Sequence, residues 1–135
     1  MAWHPRKEGL LVTGAVEPDN LLRVWSLEHT KQHHDAESSL MHTLKCNHGI
    51  TSLSWHDFGN CSELVSSHIE TSNKLSLWQV DDTPTAVTPY RLTKVRDFYR
   101  ERLEGVVLTQ AVSPCGTSIA TLSSNEQISV WKLFE

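Results

Sequence analysis

The 135-residue sequence predicts an all-β protein made of repeated small antiparallel sheets. Three observations carry this. Tryptophans recur at a fixed interval, with Trp25, Trp78 and Trp131 each 53 residues apart. Each ends a short alternating run (LLRVW, KLSLW, QISVW), the period-two pattern of a strand with unlike faces. Upstream of each tryptophan lies a second strand-like run: LLVTG (10–14), ELVSS (63–67) and SIATLSS (118–124). No convincing long helix interrupts them.

Taken in order, each copy opens on an element with a shared ending: AWHP (2–5), ITSLSWHD (50–57) and VVLTQAVSP (106–114). Weaker candidate strands, SLMHTLK (39–45) and RLTKV (91–95), precede the second and third copies. In the last tryptophan run, Ile128 and Val130 fall on one face and Gln127, Ser129 and Trp131 on the other. Four short strands joined by turns, the fourth ending in tryptophan, is the pattern of a WD-repeat β-propeller blade. Leu11, Val12, Leu64, Val65, Ile119 and Ala120 are expected to pack between blades, with Trp25, Trp78 and Trp131 as structural blade residues rather than ligand contacts.

Blade strands are expected over about 1–25, 39–79 and 86–133. The repeat is longer than the roughly 40–45 residues usual for such blades. The excess sits in a polar, His-rich linker (28–38) and an inserted loop (80–105) containing two Thr-Pro steps. The chain thus holds two full blades and the last three strands of another, and about four to eight blades close a ring. It is not expected to close alone, and unpaired edges would be an aggregation hazard. A fragment, a truncated isoform or an incomplete gene model is the expectation.

Composition narrows the function. Hydrophobic residues are 39% and charged residues 21%, as in soluble globular proteins. A net charge of −4 gives no basic field for nucleic acid. No apolar run approaches the roughly 18 residues of a membrane span, and the first eight residues lack the apolar core of a signal peptide. Three widely spaced cysteines without a C-x-x-C fit a reducing compartment, cytoplasmic or nuclear. His29, His33 and His34 lack partners at zinc spacing, so no metal is expected. No G-x-S-x-G, H-E-x-x-H or P-loop appears, which leaves an enzyme, a cofactor and a small-molecule substrate without a site. Ser113-Pro114-Cys115-Gly116 reads as a turn. Thr83-Pro84 and Thr88-Pro89 are minimal proline-directed phosphorylation motifs, weighed against plain loop prolines.

The quoted residues resemble the C-terminal blades of the fizzy family, the cell-division-cycle co-activators of the anaphase-promoting complex. AWHP with LLVTGAVEPDNLLRVW is similar to the family's A-W-C-P and L-L-A-T-G-G-G-T-x-D-R-x-I-R-x-W, and Thr13, Gly14, Asp19, Arg23 and Trp25 match. SELVSSHIETSNKLSLW is similar to N-E-L-V-S-T-H-G-Y-S-Q-N-Q-L-I-L-W, and NEQISVWKLFE to D-E-T-L-R-x-W-x-x-F-E. The resemblance implies a non-catalytic role: recruiting degron-bearing proteins to a ubiquitin ligase, with no cofactor. It places Glu126 at the acidic position that pairs with the arginine of a destruction box, where the alternative is an ordinary solvated turn residue. It places His68 and Asn73 among top-face peptide contacts and Asp19 among structural blade residues. Departures cluster on that face: His48-Gly49-Ile50, Ile69-Glu70, Ser72 and Lys74 replace the family's residues, which puts KEN-type degron reading in doubt. The isoleucine-arginine tail and the C-box, both ligase-docking elements, are not in the sequence. This divergence resembles specialised germline members such as the insect cortex-like proteins, with a meiotic role. A WD-repeat scaffold or decoy isoform without degron binding is the alternative.

Overall fold

Eleven strands and one short helix make up the computed structural model, which describes residues 1–30, 39–58, 61–70, 74–81, 90–99 and 105–133. In chain order they are β1 (Ala2–Trp3), β2 (Leu10–Gly14), β3 (Leu21–Ser26), α1 (Leu27–Thr30), β4 (Leu40–Lys45), β5 (Ile50–Phe58), β6 (Cys61–His68), β7 (Leu75–Asp81), β8 (Arg91–Phe98), β9 (Val107–Val112), β10 (Ser118–Ser123) and β11 (Ile128–Lys132). Every pairing is antiparallel. The strands form three sheets in the orders β1-β2-β3-β4, β5-β6-β7-β8 and β9-β10-β11.

Registers repeat from sheet to sheet. Leu11 faces Trp25, Leu64 faces Trp78 and Ile119 faces Trp131 across the two central strands. In the first two sheets the outermost pairing carries a bulge at the tryptophan, between Val24 and Trp25 and between Leu77 and Trp78. An extra residue there bends the edge strand and steepens the local twist, as radially stacked sheets require.

Two apolar clusters lie between the sheets. Leu10, Val12, Leu22 and Val24 of the first sheet pack on Leu64, Trp78 and Leu92 of the second. The opposite face of the second sheet, Val65, Leu75 and Leu77, packs on Val107, Ile119 and Trp131 of the third. The middle sheet is therefore apolar on both faces, and alternation along its strands sorts residues by which neighbour they meet. Of the six residues expected between blades, Val12, Leu64, Val65 and Ile119 are buried, while Leu11 and Ala120 are half-buried on the two outer faces of the stack.

The hydrogen-bonded units are phased differently from the sequence repeat. Residues 39–45 precede the second copy in sequence, but β4 pairs with β3 and so completes the first sheet. Likewise β8, inside the segment read as an inserted loop, pairs with β7 and completes the second. The three-stranded sheet is consequently the last, not the first. The physical reason is edge satisfaction. After β3 and after β7 the chain turns back along that strand's open edge before crossing to the next sheet. The expected linker 28–38 begins inside α1 (Leu27–Thr30), and 31–38 lie outside the described residues.

The crossing between the first two sheets is tight. A Cβ on Gly14 would lie 2.6 Å from Ile50 Cγ2 and 2.8 Å from Ile50 Cβ, so β2 and β5 approach closely only because residue 14 has no side chain. The backbone there is joined by Ile50 N–H donating to the Ala15 carbonyl at 3.1 Å.

Candidate functional site

The β10–β11 turn carries the candidate acidic residue. Its backbone is closed by Glu126 N–H donating to the Ser123 carbonyl and Ser123 N–H donating to the Gln127 carbonyl, both at 3.0 Å. Asn125 braces it from the side, accepting from Gln127 N–H at 3.3 Å and donating to Gln127 Oε1 at 3.1 Å. The turn is also tied to the start of β9, since Ser124 N–H donates to the Val106 carbonyl at 2.8 Å and Ser124 Oγ accepts from Val106 N–H at 3.0 Å.

Within this frame Glu126 adopts φ 64°, a left-handed conformation. Asn20 holds the same position in the β2–β3 turn, five residues ahead of Trp25 as Glu126 is ahead of Trp131, with φ 51°. Asparagine tolerates that region, whereas a longer L-residue there costs about 1–2 kcal/mol. The Glu126 side chain is exposed and has no hydrogen bond or ion pair among the described residues. Local structure therefore gives no reason for a glutamate at this point. Its carboxylate projects from a fixed turn into solvent, as an acceptor for a bidentate cation would.

The three repeat tryptophans, Trp25, Trp78 and Trp131, form a second, internal constellation that the motifs alone did not reveal. Each indole N–H donates across the sheet to a hydroxyl: Trp25 Nε1 to Thr13 Oγ1 at 2.9 Å, Trp78 Nε1 to Ser66 Oγ at 2.7 Å, and Trp131 Nε1 to Thr121 Oγ1 at 2.9 Å. The signal was present in LLVTG, ELVSS and SIATLSS, which place a hydroxyl residue two positions after the apolar partner of each tryptophan. Trp78 and Trp131 are buried and Trp25 half-buried.

His68 extends the middle relay. Its Nε2 lies 2.8 Å from Ser66 Oγ, and its Nδ1 lies 3.5 Å from the His48 carbonyl. Burial is the chief influence holding its pKa below the ordinary histidine value, with Lys74 and Lys94 adding to it against the His48 carbonyl and Asp97. The ring is buried and hydrogen-bonded inside the blade, and its edge lines the cleft between the first two sheets. Asp19, matched to a structural aspartate, is exposed, with its carboxylate 3.8 Å from Arg23. Asn73, Thr83 and Thr88 lie outside the described residues. The structure thus joins His68 to Trp78 through Ser66, and leaves Glu126 on a separate turn in the third sheet.

Among the described residues no group of three His, Cys, Asp or Glu side chains could hold a metal ion. No described helix is long and apolar enough to cross a membrane.

Comparison with known proteins bears on this arrangement. The chain is 28% identical over all of its 135 residues to the "APC/C activator protein CDH1" of Saccharomyces cerevisiae, spanning 20% of that protein. It is 31% identical over 134 residues to "Protein FIZZY-RELATED 1" of Arabidopsis thaliana, spanning 24% of it. Along its whole length the chain is thus similar to fizzy-type APC/C activators. A chain of the solved mitotic checkpoint complex superposes on it with a TM-score of 0.73 and 27% identity, over 99% of this chain and 36% of that one. The β-propeller domain of Cps50 (Swd1) gives a TM-score of 0.66 at 17% identity, which supports the fold alone. No protein-family model matches the chain. The fold is therefore a stretch of WD-repeat β-propeller, and the chain spans between about a seventh and a quarter of the length of the fizzy-type relatives it matches.

Proposed function

We propose that this stretch of fizzy-type propeller belongs to a substrate-recognition co-activator of the anaphase-promoting complex. Its role is non-catalytic: it presents degron-bearing proteins for ubiquitin conjugation in the cytoplasm or nucleus. Glu126 supplies the acidic contact to a destruction-box arginine. The observation that carries the reading is the conformation of Glu126, a glutamate held left-handed and exposed on a braced turn with no local use for its charge. Backbone strain kept at an exposed polar residue is the kind of feature that function explains. Similarity along the whole of this chain to 20% and 24% of two activator-type proteins supports the same role.

The test is binding of a fluorescein-labelled destruction-box peptide, with and without its arginine, to the protein and to Glu126→Ala. The reading expects the arginine peptide to lose about tenfold in affinity on mutation, the scale of one charge-assisted contact. Equal binding by the variant would leave the alternative, a WD-repeat scaffold or decoy without degron binding.

A further inference from the structure

Between the outer strands of the first two sheets lies a cleft of about 250 Å³, lined in part by His68 and by His48 and Lys74, two of the departures from the resembled pattern, and Glu126 takes no part in it. Its walls carry Lys45 at the end of β4, His48 in the following turn, Lys74 at the entry to β7 and Lys94 on β8, and its floor includes Leu44 and the Trp78 indole. In a chain of net charge −4, this is a local concentration of cations.

The cations are fixed in place but incompletely neutralised. Lys94 Nζ sits 3.3 Å from Asp97 and 5.0 Å from the centre of the Trp78 ring. Lys74 Nζ lies 3.5 Å from Asp97 and 3.6 Å from Glu70. Asp97 is itself anchored by the Ser76 hydroxyl at 2.6 Å. Among the described residues Lys45 Nζ donates to neutral acceptors, the carbonyls of Pro18 and Asp19. Lys74 and Lys94 thus share Asp97, Glu70 pairs with Lys74, and Lys45 meets no carboxylate among the described residues, while each ammonium has three N–H donors. Burial works against the Lys74 charge, but Asp97 and Glu70 more than offset it and keep its pKa above the usual lysine value. The donors are pre-positioned by Asp97, so an incoming anion would meet ordered cations instead of ordering them itself.

We propose that this cleft binds an acidic side chain of an extended peptide, with the carboxylate held by Lys45, Lys74 and Lys94 and an adjacent apolar residue resting on Leu44 and Trp78. The volume suits one or two side chains, and the net negative charge of the chain disfavours a long polyanion such as nucleic acid. The edge strand β4 runs beside the cleft with its outer side unpaired among the described residues, giving an extended segment a backbone to follow. The inference is independent of Glu126.

The experiment uses the full chain, a fluorescein-labelled Gly-Phe-Glu-Glu-Phe-Gly peptide, its Gln-Gln counterpart, and inorganic phosphate as competitor, at about 50 mM salt so that screening is weak. The acidic peptide is expected to bind about tenfold more tightly than the Gln peptide. Lys45→Gln and Lys94→Gln should each weaken it by about threefold or more, Lys94→Arg should retain it, and Glu126→Ala should leave it unchanged. Circular dichroism checks that each variant is folded. Equal affinity for the two peptides, or full binding by folded Lys45→Gln and Lys94→Gln, would overturn the proposal. Phosphate competing at the peptide's own affinity would overturn the peptide claim and leave a general anion site.

Discussion

At the residue scale, the Trp–hydroxyl pairs show most clearly how sequence becomes structure. Trp78 is buried, and its indole N–H has Ser66 Oγ as its acceptor, which in turn meets His68. Ser66→Ala should destabilise the chain by about 1–3 kcal/mol, because a buried donor is left without a partner, and chemical denaturation would read this as a lower midpoint. His68 and His42 add a pH dependence. The His42 pKa is held below its ordinary value, first by burial and then by Arg91, and its Nδ1 accepts from Leu92 N–H at 3.1 Å across the first two sheets. A histidine whose folded pKa is depressed binds protons more readily in the unfolded chain. The stability is therefore present above the unfolded value, about 6.5, and falls as pH drops through it. Denaturation midpoints should fall between pH 7.5 and 5.5, and His42→Gln with His68→Gln should flatten that slope. An unchanged slope would assign the pH dependence elsewhere. Glu126 belongs to this scale too. Its identity was readable in the sequence only through resemblance, and its left-handed backbone was not readable at all, since glutamate carries no turn signal.

At the element scale, the strands were legible because alternation and turn residues mark them locally, and the tryptophan interval marked the repeat. Their grouping was not. β4 and β8 look like the first strands of the copies that follow them, and only the hydrogen-bond ladder assigns them to the preceding tryptophan strand. Pairing depends on which edge is open in space, which a linear repeat does not encode. Gly14 marks another such limit, since its match to the resembled pattern gave no hint of Ile50. Gly14→Ala should cost about 1–3 kcal/mol through overpacking between β2 and β5, and adding Ile50→Ala in the same chain, which removes the Cγ2 that the new methyl would meet at 2.6 Å, should cost less in total than the two single changes added together. Thermal melts of the single and double variants check both halves.

At the scale of the whole molecule, the stack buries equivalent positions unequally. Val12, Leu22 and Val24 in the first sheet correspond to Val65, Leu75 and Leu77 in the second and to Ala120, Ile128 and Val130 in the third. The first two sets are buried between sheets, while Ile128 is 76% and Val130 57% exposed. Leu77→Ala should therefore cost about 2–5 kcal/mol, and Val130→Ala no more than about 0.5 kcal/mol, although the two sequence contexts look alike. Unfolding free energies of both variants test this assignment of core and open face. The central claim, that this stretch of propeller reads an arginine through Glu126, is met most directly by a charge swap. Glu126→Arg is combined with a destruction-box peptide in which the arginine is replaced by glutamate, and affinities are taken for all four pairings. Direct contact predicts that each single change weakens binding and that the double swap recovers about fivefold or more, near 1 kcal/mol of coupling. Additive losses with no recovery would contradict it.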